Sequence, residues 1–295
     1  MSVADHANPA SLANLSIKPV PGALGAEIAG VDLRDPLSDA QVGAIREALV
    51  EHHVVFFRGQ QLDPDAQVAV GERFGTLEDY PFVAPLPDHP KVIPVIKEAD
   101  ERTNFGGGWH SDLAYTHTPP MGTMLYAVEV PNRGGDTLFA DGIAAYEALS
   151  DGMQRLLAPL RVEYNVRHVM RAAQAEDNGT ARGNRSMQAT SDQTVVDATP
   201  CHPLIRTHPE SGRKGIYLSR GHTIRFEGLT AAESRPLLDW LHEHMTQPVF
   251  TTRFHWEAGS MAFWDNRCVV HYALNDYHGE RRHMHRLTIA GDTPV

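Results

Sequence analysis

Short apolar runs rich in Val, Ile, Phe, Tyr and Thr recur along the chain, each bounded by Gly, Pro, Asn or Asp. They predict strands at Leu24–Val31, Val54–Arg58, Val92–Ile96, Thr123–Val130, Asp136–Ala140, Leu204–Thr207, Gly215–Ser219, Val249–Phe254, Ser260–Asp265, Val269–Ala273 and Met284–Ala290. Helical periodicity is sparser. Ser38-Asp39-Ala40-Gln41 is a capping-box signature ahead of a Val42, Ile45 and Leu49 stripe, predicting a helix to about His52. Ala66–Phe74 and one or two short segments within Ile143–Leu157 follow. Thr230-x-x-Glu233 opens a later helix carrying Leu237, Leu238, Leu241 and Met245, and Pro236 blurs its start, since proline is tolerated in the first turn only. Many short strands with few helices predict a mostly β chain with flanking helices, of α+β class, built as a sandwich or rolled sheet rather than a doubly wound one.

Two polar stretches break this pattern, residues 98–108, ending in three glycines, and residues 174–199. Each is long for a plain connection, which predicts lid loops. The glycine run lacks the Lys-Ser/Thr and the helix of a phosphate cradle, and is expected to form a rim beside His110. The first fifteen residues have no basic start and no apolar stretch. They read as a flexible tail on a single domain spanning 16–295, and predict a cytoplasmic rather than an exported protein.

Composition narrows the partners. A net charge of −11 over 295 residues disfavours nucleic acid and anionic membrane, and no apolar run is long enough to span a bilayer. It leaves open a small anion, because local arginines can dominate a pocket. Two cysteines, Cys201 and Cys268, make no disulfide framework.

The candidate chemistry lies in His110-Ser111-Asp112. In an extended segment His110 and Asp112 share one face. Two imidazoles and a carboxylate hold a redox metal on one side and leave the other open, and His271 is the candidate for the third ligand. Two further His-x-acid triplets, His208–Glu210 and His255–Glu257, sit at strand ends, so either could be the metal pair instead. Asp265 could be a ligand or a turn carboxylate paired with a neighbouring arginine. Val269–Ala273 and the strand from Arg282 are expected to pair as an antiparallel hairpin across the turn residues of Asn275–Glu280. That would place Arg282, Met284, Arg286 and Thr288 on one face, with two guanidiniums pointing inward beside His271. Buried arginines need anions: either internal Asp and Glu, or a carboxylate ligand gripped in bidentate fashion. Hence two alternatives stand, a redox centre with an organic acid, or a non-redox metal hydrolase or isomerase.

Trp109-His110-Ser111-Asp112, Gly134-Gly135-Asp136-Thr137, Ala144-Ala145-Tyr146-Glu147-Ala148-Leu149, Arg206-Thr207-His208-Pro209 and the block from Trp264 through His271 to Arg286 together resemble the TauD/TfdA-like family of iron(II)- and 2-oxoglutarate-dependent dioxygenases. The resemblance runs from Gly25 to the end of the chain. It implies a double-stranded β-helix (a jelly roll, cupin-like). It implies iron(II) on His110, Asp112 and His271, 2-oxoglutarate with its distal carboxylate on Arg282 and the Thr137 hydroxyl, and O2 as oxidant. A substrate anion would meet Arg286. The implied reaction gives succinate and CO2 while an aliphatic C–H is hydroxylated; beside a heteroatom the product splits, cleaving C–O or C–S. Departures bear on the substrate. Tyr80 and Val83 stand where taurine oxidisers carry a histidine and a tyrosine, Gly106–Gly108 replaces an asparagine, and Ser219 follows the Tyr217-Leu218 pair where asparagine is common. A pocket lined by Tyr80, Val83, Tyr217 and Arg286 points away from taurine, towards an alkyl sulfate, a larger sulfonate or an aryloxyalkanoate. Relatives of this kind imply a dimer or tetramer.

Overall fold

A computed structural model describes residues 15–167 and 186–295; residues 1–14 of the expected tail and 174–185 of the second expected loop lie outside them. In chain order the strands are β1 Ser16–Pro19, β2 Ala26–Ala29, β3 Val54–Phe57, β4 Ile93–Lys97, β5 Gly122–Glu129, β6 Thr137–Asp141, β7 Arg161–Tyr164, β8 Cys201–Pro203, β9 Ile205–Thr207, β10 Lys214–Ile216, β11 Thr223–Phe226, β12 Thr251–Phe254, β13 Met261–Asp265, β14 Val269–Ala273 and β15 Arg282–Ile289. The helices are α1 Asp39–His52, α2 Pro64–Glu72, α3 Gly142–Glu147, α4 Asp151–Leu157, α5 Gln193–Asp197 and α6 Ala231–Met245. The main sheet has the order β1-β2-β3-β13-β5-β15-β4, antiparallel except for the β2–β3 pair. A second sheet runs β12-β6-β14, with smaller sheets β11-β7-β8 and β10-β9.

Side-chain alternation explains the layering. Odd positions of β3, Val55 and Phe57, pack with Phe263 and Leu287 against Ile45 and Leu49 of α1 and Val70 of α2. Even positions, Val54 and Phe56, pack with Trp264 and Met284 onto Phe139, Phe254 and Val269 of the second sheet. Phe56 stacks on Phe254 with ring centroids 4.0 Å apart. Both faces of the central strands are therefore covered, which is why they read as unbroken apolar runs. A third cluster joins Leu238, Leu241 and Met245 of α6 to Val162, Leu204 and Phe226.

The capping boxes form as written: Ser38 with Gln41, and Thr230 with Glu233. Pro236 lies within α6, five residues past its first, so the cap at Thr230 sets the start and the helix tolerates one missing amide donor. Trp240 is exposed on α6 and stacks on His244. The hairpin expected between Val269–Ala273 and Arg282–Ala290 does not form. β14 pairs β6 in the second sheet, whereas β15 pairs β5 and β4 in the main one. The supposed turn residues are engaged elsewhere: the Asn275 amide donates to Arg102 O at 2.7 Å and Asp276 Oδ1 accepts from Gly135 N at 2.7 Å. The segment thus crosses between sheets, and β14 and β15 face one another across the interior. Arg282, Met284, Arg286 and Thr288 do point inward as the alternation requires, and all four are buried.

α3 begins hard against backbone. A Cβ on Gly142 would lie 2.6 Å from Ile216 O and 2.9 Å from Cys268 O, neither of which can swing aside. Gly142→Ala is expected to cost about 1–3 kcal/mol by overpacking, read as a lower denaturation midpoint; an unchanged midpoint would show that the contact relaxes freely.

Candidate metal centre and cosubstrate pocket

His110 is not in a strand, yet its backbone is bridged to β14: His110 N donates to His271 O at 3.0 Å, and His271 N to His110 O at 2.8 Å. This isolated bridge joins two stretches 161 positions apart in number (271 − 110) and brings both imidazoles to one point. His110 Nε2 and His271 Nε2 lie 3.7 and 3.8 Å from Asp112 Oδ1. Two atoms that each bind one cation at ~2.1 Å are at most ~4.2 Å apart, so both separations suit a shared ion. The ring nitrogens are also sorted by their neighbours. His110 Nδ1 is 2.7 Å from Gly108 O, so it carries the proton and donates, leaving Nε2 as the free donor atom for a metal. Asp112 Oδ2 accepts from the Thr123 hydroxyl at 2.7 Å, Thr123 Oγ1 accepts from Asn266 Nδ2 at 2.9 Å, and Asn266 Oδ1 accepts from Trp264 Nε1 at 2.9 Å. That chain fixes the carboxylate and presents Oδ1 to the histidines.

Electrostatics put His271 and Asp112 in their ligating forms. Burial pushes His271 down to about 3, helped by His110 and Arg286 and opposed by Asp112, so the imidazole is neutral. Burial opposes ionisation of Asp112, but Arg286, His271, His110 and the Thr123 hydroxyl outweigh it and hold the carboxyl well below the usual range. The donor set of two imidazoles and one carboxylate on one face fits a hexacoordinate redox metal with open positions.

The other His-x-acid triplets take structural partners. His255 Nδ1 binds Asp136 Oδ1 at 2.8 Å. His208, Asp265 and Cys268 are close enough to suggest a second metal group, but the imidazole is spent. Its Nε2 donates to Asp265 Oδ2 at 3.0 Å and its Nδ1 accepts from the backbone of Glu210 and Ser211. Asp265 is bound by Arg267 through two nitrogens, so it acts as the turn carboxylate.

Beyond the triad stand two buried cations. Arg286 Nη2 is 3.2 Å from Asp112 Oδ1, and its guanidinium lies 4.6 Å from the centroid of the Tyr80 ring. Arg282 is 4% exposed, and its Nε and Nη2 have no hydrogen-bond partner among the described residues. Gly135, at φ +71°, lies alongside: a Cβ there would meet Pro131 at 3.1 Å, the Tyr277 ring at 3.3 Å and the Arg282 stem at 3.4 Å. Arg282 lies 5.7 Å from the ring centroid of Trp256, whose Nε1 donates to Thr137 Oγ1 at 2.9 Å. Thr137 and Arg282 are therefore joined through one indole, and both are buried.

Tyr80 also contacts Phe82 and Phe105, and Tyr115 packs on Phe82 and on His222 at 4.6 Å. Burial pushes the Tyr80 hydroxyl up to about 12, so it stays protonated. Val83 is buried and bridges Ala189. Tyr217 stands apart from this group: its ring lies 5.0 Å from the Arg206 guanidinium and packs on Tyr164 and His202. Residues 98–108 are stitched to β14 by Asn104 Nδ2 donating to Ala273 O and Ala273 N to Gly106 O. Sequence reasoning missed Trp256, Tyr115, Thr123 and Asn266. Trp256 left a trace as the middle residue of a triplet set aside for its histidine and acid, and Asn266 as a member of the block from Trp264 to His271.

Comparison with known proteins decides the lineage. A family described as "Taurine catabolism dioxygenase TauD, TfdA family" matches residues 16–288. The chain belongs to this family. It is 36% identical over 284 residues, covering 95% of this chain and 91% of the relative, to an alpha-ketoglutarate-dependent sulfate ester dioxygenase of Pseudomonas putida. It is 33% identical to an alpha-ketoglutarate-dependent 2,4-dichlorophenoxyacetate dioxygenase of Cupriavidus pinatubonensis, covering 92% of this chain and 96% of that one. Among solved structures, a taurine dioxygenase from Burkholderia xenovorans superposes with a TM-score of 0.79 at 34% identity, over 95% of this chain and 92% of that one. AAD-2, solved with Mn(II) and N-oxalylglycine, gives a TM-score of 0.75 at 27% identity, over 95% and 98%. Family members of this kind depend on 2-oxoglutarate, iron(II) and O2. Among the described residues no helix is long and apolar enough to cross a membrane.

Proposed function

We propose that this chain is an iron(II)- and 2-oxoglutarate-dependent dioxygenase that hydroxylates an aliphatic C–H of a small organic anion other than taurine. The candidate substrates are an alkyl sulfate, a sulfonate or an aryloxyalkanoate. The observation that carries the reading is the pairing of a one-faced His110–Asp112–His271 donor set with a buried guanidinium, Arg282, that has no anion of its own among the described residues. A non-redox hydrolase on the same ligands has no use for that second feature. The fold proposed is the double-stranded β-helix, supported by a main sheet and a β12-β6-β14 sheet that enclose one apolar cluster. We read 16–295 as one cytoplasmic domain acting as a homo-oligomer.

In this reading His110 Nε2, His271 Nε2 and Asp112 Oδ1 hold the metal. Bound iron(II) supplies the redox chemistry that couples oxidative decarboxylation of the keto acid, giving succinate and CO2, to hydroxylation of the substrate. The chain's own residues bind and orient. Thr123 and Asn266 fix the carboxylate. Arg282 and Thr137 take the distal carboxylate of the keto acid, where bidentate charge-assisted bonds are strongest. Arg286, over Tyr80, takes the substrate anion, and the apolar surround of Val83, Phe82 and Phe105 keeps water from the reacting C–H. A sulfate ester or aryloxy ether hydroxylated beside oxygen gives a product that breaks its C–O bond unaided; a sulfonate loses its C–S bond in the same way.

Succinate release over a panel of sulfate esters, sulfonates and aryloxy acids tests this, with uncoupled decarboxylation subtracted. Formation should require iron(II) and O2 and fall to the metal-free background in His110→Ala. Turnover that persists in that variant, or in the absence of keto acid, overturns the proposal.

A further inference from the structure

Trp256 occupies a place that neither the metal nor the substrate pocket explains. It is 2% exposed, its ring faces the Arg282 guanidinium, and its N–H ends on the Thr137 hydroxyl at 2.9 Å. An indole N–H can only donate, so Thr137 Oγ1 must be the acceptor in that bond. The hydroxyl keeps its own proton, and among the described residues no hydrogen bond spends it. Thr137 is itself 2% exposed, so an idle O–H there is costly unless a ligand acceptor receives it. Beside it Arg282 leaves Nε and Nη2 without partners among the described residues. Three donor groups thus lie unspent around a single indole.

We infer that Trp256 is a positioning residue for the cosubstrate: its N–H fixes the Thr137 hydroxyl so that the O–H is turned to the distal carboxylate of 2-oxoglutarate, while its ring face seats Arg282. This rests on the cosubstrate site proposed above. The same two contacts make the pocket read a second carboxylate rather than a keto acid in general. Without the indole N–H, the Thr137 hydroxyl is free to rotate, and part of the time it offers a lone pair to the incoming carboxylate, which is repulsive.

Calorimetric titration of Mn(II)-loaded protein tests this without turnover. Trp256→Phe keeps a ring beneath Arg282 and removes only the N–H. It should weaken 2-oxoglutarate about tenfold, as expected for one hydrogen bond to a charged group, and leave 2-oxopentanoate, which has no distal carboxylate, unchanged. In the iron enzyme KM for 2-oxoglutarate should rise while kcat at saturation holds. A double-mutant cycle supplies the second arm: in a Thr137→Val background, Trp256→Phe should have little further effect, because the indole acts through that hydroxyl. Equal weakening of both keto acids, or full additivity with Thr137→Val, overturns the inference and makes Trp256 a packing residue. Arg282→Ala separates the layers. If it leaves 2-oxoglutarate affinity intact, the cosubstrate site itself is wrong. If it abolishes affinity while Trp256→Phe does nothing, only the role of the indole fails.

Discussion

Arg282→Met is expected to make the ligand-free protein more stable and the enzyme nearly inert to its cosubstrate. The guanidinium is 4% exposed, and burial alone lowers its affinity for its proton. The charge of Asp136 helps to hold that proton, but both of its oxygens are already engaged, by Arg253 at 2.6 Å and His255 at 2.8 Å. A buried cation without its own anion destabilises the fold, and an apolar side chain of similar length relieves this. The variant should melt higher by roughly 2–6 °C, the shift that ~1–2 kcal/mol gives in a chain of this size. Binding should move the other way. Wild-type protein should gain ~2.7 kcal/mol of stability at a hundredfold excess of 2-oxoglutarate over Kd, and the variant nothing. Loss of a bidentate charged contact of ~3–4 kcal/mol raises KM for the keto acid by about 10²–10³-fold. Differential scanning calorimetry with and without 2-oxoglutarate reads both effects. A variant that melts lower when empty, yet still shifts with the keto acid, would refute the assignment of Arg282 to that carboxylate.

The pairing of His110 with Asp112 as a candidate metal-binding face was legible in the alternation of extended backbone. Residues two apart on such backbone face together, but two other His-x-acid triplets obeyed the same rule, and the family resemblance singled out His110, Asp112 and His271 as the candidate ligands. The inward face of β15 followed from the same alternation. What brings His271 to His110 was not legible. A hairpin seemed to be written in Asn275–Glu280, but turn residues declare only that the chain bends, not which strand it bends towards. Asn275 and Asp276 spend their side chains on Arg102 and Gly135, so the chain crosses the interior and two strands next to one another in sequence end in opposite sheets. The short strands β7, β8 and β11 escaped notice for a related reason. Three or four residues carry too little alternation to show, and they exist because they pair one another around Val162 and Phe226. Trp256 and Thr137 meet across 119 positions (256 − 137) through one indole proton. No periodicity encodes such a contact, whereas the resemblance to the family could supply Thr137 and Arg282 individually.

Asp265→Asn should be among the most destabilising single changes in the protein, and its cost should fade in acid. Asp265 is fully buried at the end of β13 and accepts from the Arg267 backbone and guanidinium and from His208 Nε2. Arg267 extends the network to Glu210, which also meets Arg46. Burial opposes the charge on Asp265, but the hydrogen bonds from Arg267 and His208 and the Arg267 charge win, holding the carboxyl well below the usual aspartate range. A folded value below the unfolded one means stability that is fully present above about pH 3.9, the value in the unfolded chain, and lost as pH falls from there through the folded value. Removing the charge leaves Arg267, itself 5% exposed, with Glu210 as its remaining anion. Breaking a buried pair from one side costs about 3–5 kcal/mol, or roughly 6–10 °C in Tm. Because β13 flows through Asp265 and Asn266 into the β14 strand that carries His271, the loss should reach the metal centre as well as the fold. Urea midpoints for wild type and variant from pH 7 down to pH 3 check the sign: the gap should be constant near neutrality and narrow below about pH 4, as wild type loses the same charge by protonation. A gap that persists unchanged at pH 3 would mean that Asp265 contributes through shape and hydrogen bonding alone, with its ionisation irrelevant to the fold.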